Sequence, residues 1–144
     1  MRKSSGVFVL LCAIALLRAD EASPLSFDEL YGETSALGLS FSDKVKSLAG
    51  KRVFMDGFMA PPLKAKANFF VLTKRPMALC PFCSTDADWP SDIAVVYLSK
   101  PQTFVQSNAI IRAEGILEYG SYNDEETGFV SQLRIKDATF KSIR

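Results

Sequence analysis

The sequence predicts a mainly β domain, a small five-stranded antiparallel barrel that follows an N-terminal signal peptide and one short helix. Hydrophobic residues make up 48% of the 144 residues and aromatic residues 11%, which is typical of a single globular domain. From residue 51 onwards the apolar pattern has the period of two expected of strands, and turn-forming residues interrupt it about every 8–15 residues. Five such segments with little helical pattern favour a small antiparallel barrel.

Residues 1–22 have the layout of a secretory signal peptide. A basic start, MRK, precedes the uncharged apolar run VFVLLCAIALL at 7–17, and we expect cleavage after Ala19 or Ala22. Eleven apolar residues in a helix span about 16 Å, well below the ~30 Å hydrocarbon core, so no stable membrane span is expected in the mature chain. The domain is therefore expected to be exported to an oxidising compartment. An uncleaved anchor that lies at the membrane interface is the alternative.

The net charge and the absence of histidine exclude several classes of function. Residues 1–22 contain three basic and two acidic residues, so without them the 17 basic and 16 acidic residues fall to equal numbers. Because nucleic acid binding needs a basic surface, no nucleic acid partner is expected. The chain has no histidine, which excludes Ser-His-Asp and Cys-His catalysis and His-ligated zinc or type-1 copper within one chain. We expect a protein that is not an enzyme.

Two segments precede the predicted strands. Residues 23–40 are rich in small residues and are predicted as an N-terminal arm with one helical turn around 27–31. The barrel domain is expected over 41–144. It begins with a short helix in FSDKVKSLAGK, for which Ser42 or Ser40 is the expected cap and Gly50 the expected C-terminal stop.

Five segments are predicted as strands because they are rich in β-branched and aromatic residues: 51–59, 68–74, 92–98, 108–120 and 129–143. The prolines of APP, at 60–62, end the first segment, since proline cannot donate to a strand ladder. The polar segment SYNDEETG, at 121–128, has the turn chemistry of a hairpin tip.

Two strand-interior glycines suggest the type of barrel. Gly57 in KRVFMDGFM and Gly115 in AIIRAEGIL each have apolar neighbours, and such glycines mark bulges or sharp coils. A five-stranded OB-like barrel (of the oligonucleotide/oligosaccharide-binding type) needs such coils to close. A two-layer sandwich is the alternative. The predicted helix precedes the first strand, whereas the usual position is between strands three and four.

The loop at 75–91 contains the sequence MALCPFCSTDADWP, and its cysteine pair is the main candidate site. A complete structural zinc site needs four ligands, and the chain has no second such pair. Asp86 and Asp88 are candidate additional ligands for Cys80 and Cys83, and Met77 offers a thioether that suits Cu(I). Zinc or copper is therefore the candidate cofactor, with missing ligands supplied by a partner or a second copy.

Redox exchange and a passive disulfide are the two other hypotheses for this pair. A thioredoxin-type site is not expected, because STDADWPSD lacks helical periodicity. Thiol exchange on a loop of another fold would use Cys80 as nucleophile and Cys83 as resolving thiol; the nearby Lys74 and Arg75 favour a thiolate, and the aspartates of the loop oppose it. A disulfide that closes this four-residue loop stabilises by about 2 kcal/mol and would fix the shape of the loop.

Side chains around the cysteines have less specific interpretations. Trp89 and Phe82 are candidate walls of a site, although Trp89 would equally pack as a cap on one end of the barrel. Met55 and Met59 are predicted as core packing.

The predicted strand at 108–120 carries charged residues on one face. Arg112, Glu114 and Glu118 share this face by the period of two, and we expect a solvated surface with an Arg–Glu pair. A catalytic pair of carboxylates is not expected there.

The chain resembles a group of exported bacterial domains of unknown function over about 48–140. Their pattern is a G-K-x-V strand that leads to G-F/Y-M-x-P, an F-x-L strand, a cysteine-bearing loop and a strand that resumes at W-P or P-P. The matching residues here are Gly50, Lys51, Val53, Gly57, Phe58, Met59, Pro61, Phe70, Leu72, Cys80, Cys83, Trp89 and Pro90. The resemblance implies a small OB-like barrel and export, with no assigned catalytic activity.

These features together predict a non-enzymatic periplasmic accessory or binding module that displays the CPFC loop. Soft-metal handling or contact with an envelope protein, such as a transporter, is the expected role. A thiol–disulfide oxidoreductase that uses Cys80 and Cys83 is one alternative. A structural interaction domain with a passive disulfide between them is the other.

Overall fold

A computed structural model describes residues 21–35, 38–61, 68–78, 89–105 and 108–143. These residues are mainly β, as the sequence predicts, with one α-helix among them. The strands are β1 (Ser23–Pro24), β2 (Tyr31–Ser35), β3 (Gly38–Phe41), β4 (Arg52–Met59), β5 (Phe69–Thr73), β6 (Ile93–Leu98), β7 (Ile110–Asn123) and β8 (Val130–Ser142). A 3-10 helix occupies Phe27–Glu29, and α1 occupies Asp43–Leu48.

The pairings of the five strands from β4 to β8 form a closed cycle. Their order is β4–β5–β6–β8–β7, and β4 also pairs with β7. Four of these pairings are antiparallel, and β6–β8 is parallel. The sheet is therefore mixed, and the expectation of a wholly antiparallel barrel is wrong at this pair. A closed cycle with an odd number of strands cannot alternate direction at every pairing, so at least one pairing must be parallel.

The N-terminal segment packs into the sheet. Ser23 of β1 pairs in parallel with Val53 of β4, and the Leu25 amide donates to the Phe54 carbonyl at 3.0 Å. Three apolar side chains of this segment are buried in the main core: Leu25, Phe27 and Leu30. The predicted helical turn corresponds to the 3-10 helix. Residues 23–40, predicted as an arm, therefore supply part of the core.

Helix α1 begins and ends as its sequence predicts. The Ser42 hydroxyl accepts a hydrogen bond from the Val45 amide at 3.2 Å, which caps the helix, and Val45 is fully buried. Gly50 follows with a φ of 75°, a conformation that glycine adopts without strain. Within the described ranges, no helix has the length and apolar character needed to cross a membrane.

Both strand-interior glycines stand where another chain segment approaches closely. A Cβ on Gly115 would lie 2.4 Å from the Lys136 carbonyl oxygen, and the β7–β8 register shifts at this position. A Cβ on Gly57 would lie 2.7 Å from the Thr73 carbonyl oxygen. Gly115 is thus at the predicted bulge, and Gly57 is where β4 passes from β7 to β5.

The apolar core forms two clusters because β5 and β6 are buried on both faces. Phe70 and Leu72 belong to the main cluster, together with Met55 and Met59, whose interpretation as core packing is confirmed. Phe69 and Val71 alternate with them and face a second cluster, whose other members are Ala60, Ile93, Val95 and Phe129. The continuous apolar runs FFVL and IAVV are the sequence signal of burial on both sides.

The charged face of β7 is paired, with partners that differ from the prediction. Arg112 donates two hydrogen bonds to Asp56 of β4, at 2.7 and 2.8 Å, and its guanidinium lies 4.0 Å from the centre of the Phe54 ring. Glu114 and Glu118 pair with arginines of other strands. The face is half-exposed, as expected, but Arg112 pairs with an aspartate.

Candidate functional site

The cysteine-bearing loop connects β5 to β6, and its two ends are fixed. Thr73 pairs with Ile93 as the last pair of these strands, and the Lys74 amide donates to the Asp92 carbonyl at 3.0 Å. The Thr73 hydroxyl, which is buried, donates to the Arg75 carbonyl at 2.6 Å. The loop therefore leaves the sheet from a base with defined geometry.

Most of the predicted site residues lie outside the described residues: Cys80, Phe82, Cys83, Asp86 and Asp88. The metal, redox and disulfide hypotheses for them stay predictions. Met77 and Trp89, on either side of that stretch, are both half-buried. Within the part of the chain that the structure describes, no three His, Cys, Asp or Glu side chains come together as a metal site would require.

Trp89 is held at the end of the loop by a hydrogen bond and by apolar contacts. Its indole N–H donates to the Tyr31 hydroxyl at 2.7 Å, and the ring packs against both hydrophobic clusters. Burial raises the pKa of the Tyr31 hydroxyl, and the Trp89 hydrogen bond opposes this only in part. Tyr31 is consequently a neutral phenol at physiological pH, with a fixed ring.

Beside this contact lies a cleft of about 250 Å³ at the base of the loop. We call it the loop-base cleft, and its lining residues come from the N-terminal segment and from both ends of the loop: Phe27, Asp28, Tyr31, Lys74, Ser91 and Asp92. Phe27 and Tyr31 supply aromatic surface. The other four supply carboxylates, an ammonium and a hydroxyl, which are groups that bind ligands.

Of the three charged residues that line the loop-base cleft, two form an ion pair with each other. Lys74 forms an ion pair with Asp28, and this pair joins the loop to the N-terminal segment. The Asp92 side chain has no hydrogen bond or ion pair with any other described residue, and it is half-buried. Two carboxylates and one ammonium give the lining one net negative charge.

A second ion pair fixes the turn that carries Asp28. Glu29 accepts hydrogen bonds from Lys44 of α1 at 2.7 Å and from the amide and hydroxyl of Ser26 at 3.0 and 2.9 Å. The Lys44 hydrogen bond, and then those from Ser26, lower the pKa of the Glu29 carboxyl to about 2. The position of the 3-10 helix is thus fixed from both ends.

Sequence reasoning missed the loop-base cleft. Asp28 and Lys74 are separated by 46 residues, and no local pattern indicates that they meet. The one local signal is Ser26-x-x-Glu29, which has the form of a capping box and locates the turn. For Asp92, the sequence predicts only that it begins a strand.

Comparison with solved structures shows the fold. The chain is similar to a DUF3299 family protein from Pseudomonas aeruginosa PAO1, with a TM-score of 0.57 and 11% sequence identity, over 86% of this chain and 97% of that chain. No protein-family profile and no curated protein matches the sequence. The similar structure belongs to a family of unknown function, which fits the expected resemblance to uncharacterised bacterial domains.

Proposed function

We infer that this protein is an exported, non-enzymatic accessory module of the bacterial periplasm that presents the Cys80/Cys83 loop to a soft metal ion or an envelope protein. The observation that carries this proposal is the fixed base of the loop. Strand pairing and the hydrogen bond from Lys74 to Asp92 hold its two ends beside the loop-base cleft. A loop presented from a rigid sheet is a common arrangement for binding residues.

An OB-like scaffold is the finer fold that we propose. A five-stranded barrel that is partly open is the form of that fold. In support, the cycle β4–β5–β6–β8–β7 has five strands, and β4 and β5 share only two residue pairs. In this arrangement the cysteine loop joins the second and third strands of the barrel. The helix still differs in position, since α1 precedes the first of the five strands.

Soft-metal binding rests on the chemistry of the loop residues. Cys80 and Cys83 supply two thiolates, and thiolates with a thioether favour Cu(I), whereas thiolates with carboxylates are acceptable to zinc. Met77, or Asp86 and Asp88, would add ligands from the same loop. An envelope transporter that supplies the remaining ligands would receive the ion by exchange.

A competition titration tests this proposal. The reduced mature protein is titrated with Cu(I) or Zn²⁺ against a chelator of known affinity, and we expect uptake of one ion per chain or per dimer. Cys80→Ser is expected to weaken binding at least 100-fold. If Met77 is a Cu(I) ligand, Met77→Leu weakens Cu(I) binding, whereas the matched change Met59→Leu, in the buried core, leaves it unchanged.

The reduction potential of the cysteine pair separates the two alternatives. A potential of about −120 to −200 mV with thiol-exchange activity would support a thiol–disulfide oxidoreductase. A metal-free disulfide with a potential below about −300 mV would support a structural interaction domain. Either result contradicts metal handling as the function.

A further inference from the structure

We propose that the loop-base cleft binds the cationic end of one lysine or arginine side chain of a partner polypeptide, with Asp92 as the carboxylate that pairs with it. The described residues that line the cleft are not among the residues of the proposed metal site. This site is therefore independent of the proposed metal function, and it stands or fails separately.

The net negative charge of the lining favours a cationic occupant. The Lys74 ammonium is already paired with Asp28, so this pair contributes no net charge to the cleft. Asp92 remains, and no described residue pairs with its carboxylate. An anionic ligand would be placed against that carboxylate, whereas a cation would gain an ion pair.

The position of Asp92 favours pairing with a ligand. Its main-chain carbonyl accepts the Lys74 amide at 3.0 Å, and the next residue, Ile93, is fully buried in β6. The backbone that carries the carboxylate is thus held before a ligand arrives, which reduces the entropy lost on binding. Ser91, which is exposed, adds a hydroxyl at the same end of the cleft.

Aromatic surface in the lining favours an organic cation over a neutral polar group. Phe27 and Tyr31 line the cleft, and the hydrogen bond from Trp89 to the Tyr31 hydroxyl holds the second of these rings. Ammonium and guanidinium groups are attracted to the faces of aromatic rings, and their aliphatic stems pack on the same surface.

The size of the cleft suits one side chain of a larger partner. Its volume of about 250 Å³ is below the roughly 300–1,000 Å³ of pockets that hold whole small molecules. We therefore assign it to one side chain of a larger partner.

Intrinsic fluorescence can test the site, because Trp89 is the single tryptophan of the chain. Its indole is hydrogen-bonded to Tyr31, which lines the cleft. The probes are the N-acetyl amides of lysine, arginine, glutamine and glutamate, each added to the mature protein up to about 100 mM at constant ionic strength. We expect a saturable change in fluorescence with the lysine and arginine probes and none with the other two.

Three variants assign the binding to its residues. Asp92→Asn, which keeps the backbone hydrogen bond, is expected to weaken lysine-probe binding at least tenfold. Asp56→Asn makes the same charge change in the Arg112 ion pair on β4, and it is expected to leave binding unchanged. Lys74→Gln leaves Asp28 without its partner and is expected to strengthen binding several-fold, a gain that mere disruption of the fold would not produce.

Three outcomes would overturn the proposal. One is an equal response to the glutamine probe, which would indicate recognition without charge. Another is a response to 10 mM CaCl₂ or MgCl₂ that Asp92→Asn abolishes while the lysine probe has no effect, which would indicate a metal site. The third is the absence of any saturable response to the lysine and arginine probes.

Discussion

At Gly115 the backbone of β7 passes so close to β8 that no side chain fits. A Cβ there would lie 2.4 Å from the Lys136 carbonyl oxygen and 3.0 Å from the Cα of Ala138. Both atoms belong to the backbone, so an added methyl group must move a strand. The sequence pattern indicated this bulge because glycine weakens a strand interior and commonly stands there where the strand bends or another backbone approaches closely.

We predict that Gly115→Ala destabilises the protein by about 3 kcal/mol, at the upper end of the range for overpacking. Gly32→Ala in β2 is the control, because its Cβ would have no neighbour within 3.7 Å and should change stability by less than about 0.5 kcal/mol. Urea unfolding of both variants measures the difference. Equal midpoints for the two variants would contradict the close approach of β7 and β8.

Glu29 makes the stability of the folded domain depend on pH in the acid range. Its pKa is about 2 in the folded protein, against an ordinary value of 4.5, so the folded state binds this proton less tightly than the unfolded state does. The stability that Glu29 contributes is therefore fully present above about pH 4.5 and is lost as the pH falls through about 2.

We predict that Glu29→Gln is less stable than the wild-type protein at neutral pH and that the difference disappears near pH 2. Unfolding free energies measured by urea at a series of pH values give this comparison. Lys44→Met removes the largest cause of the pKa shift, so the acid-dependent part should shrink in that variant as well. A difference that stays constant from pH 7 to pH 2 would show that the carboxylate has no part in it.

At the scale of elements, the N-terminal segment matters most, since three of its side chains belong to the main core. Leu30 is fully buried in the main cluster, and the Ser42 amide donates to its carbonyl at 3.0 Å. The composition of 23–40, with its small residues and glycines, favours an extended arm. β1 has two residues and pairs with β4, which is distant in the chain, so the local sequence does not reveal it. β2 and β3 pair with each other, and their alternation is too weak to mark them as strands.

We predict that Leu30→Ala lowers the free energy of unfolding by about 2–5 kcal/mol, as for other large-to-small changes in a core. Ile110→Ala at the start of β7 is the control, because that side chain is 44% exposed, and it should cost less than about 1 kcal/mol. Thermal or urea unfolding compares the two. If they lose equal stability, the N-terminal segment is not integral to the core.

At the scale of the whole molecule, local patterns predicted the elements well and contacts between distant residues poorly. The five strands from β4 to β8, the Ser42 cap and the turn after β7 follow from β-rich apolar runs, capping and turn chemistry. The parallel β6–β8 pair and the loop-base cleft do not, because each depends on how distant segments meet. Asp28 follows β1, which pairs with β4, whereas Lys74 follows β5, so their ion pair joins segments that are distant in the sequence.

Two features of the connection between β5 and β6 carry the two proposals. The sequence alone indicates the thiols of the loop. The structure adds a cleft at the base of that loop, and the lining of this cleft has a net negative charge. A partner that inserts a basic side chain into the cleft would bind at the base of the loop whose sequence contains Cys80 and Cys83. Metal binding and partner recognition can each be tested without the other.

The metal content and free-thiol count of the mature protein, isolated from the periplasm without reductant, test the central claim most directly. We predict zinc or copper at one ion per chain or per dimer, two titratable thiols after the metal is removed, and loss of the metal in Cys80→Ser. A metal-free protein with no titratable thiol, in which Cys80 and Cys83 are joined as a disulfide, would contradict the account.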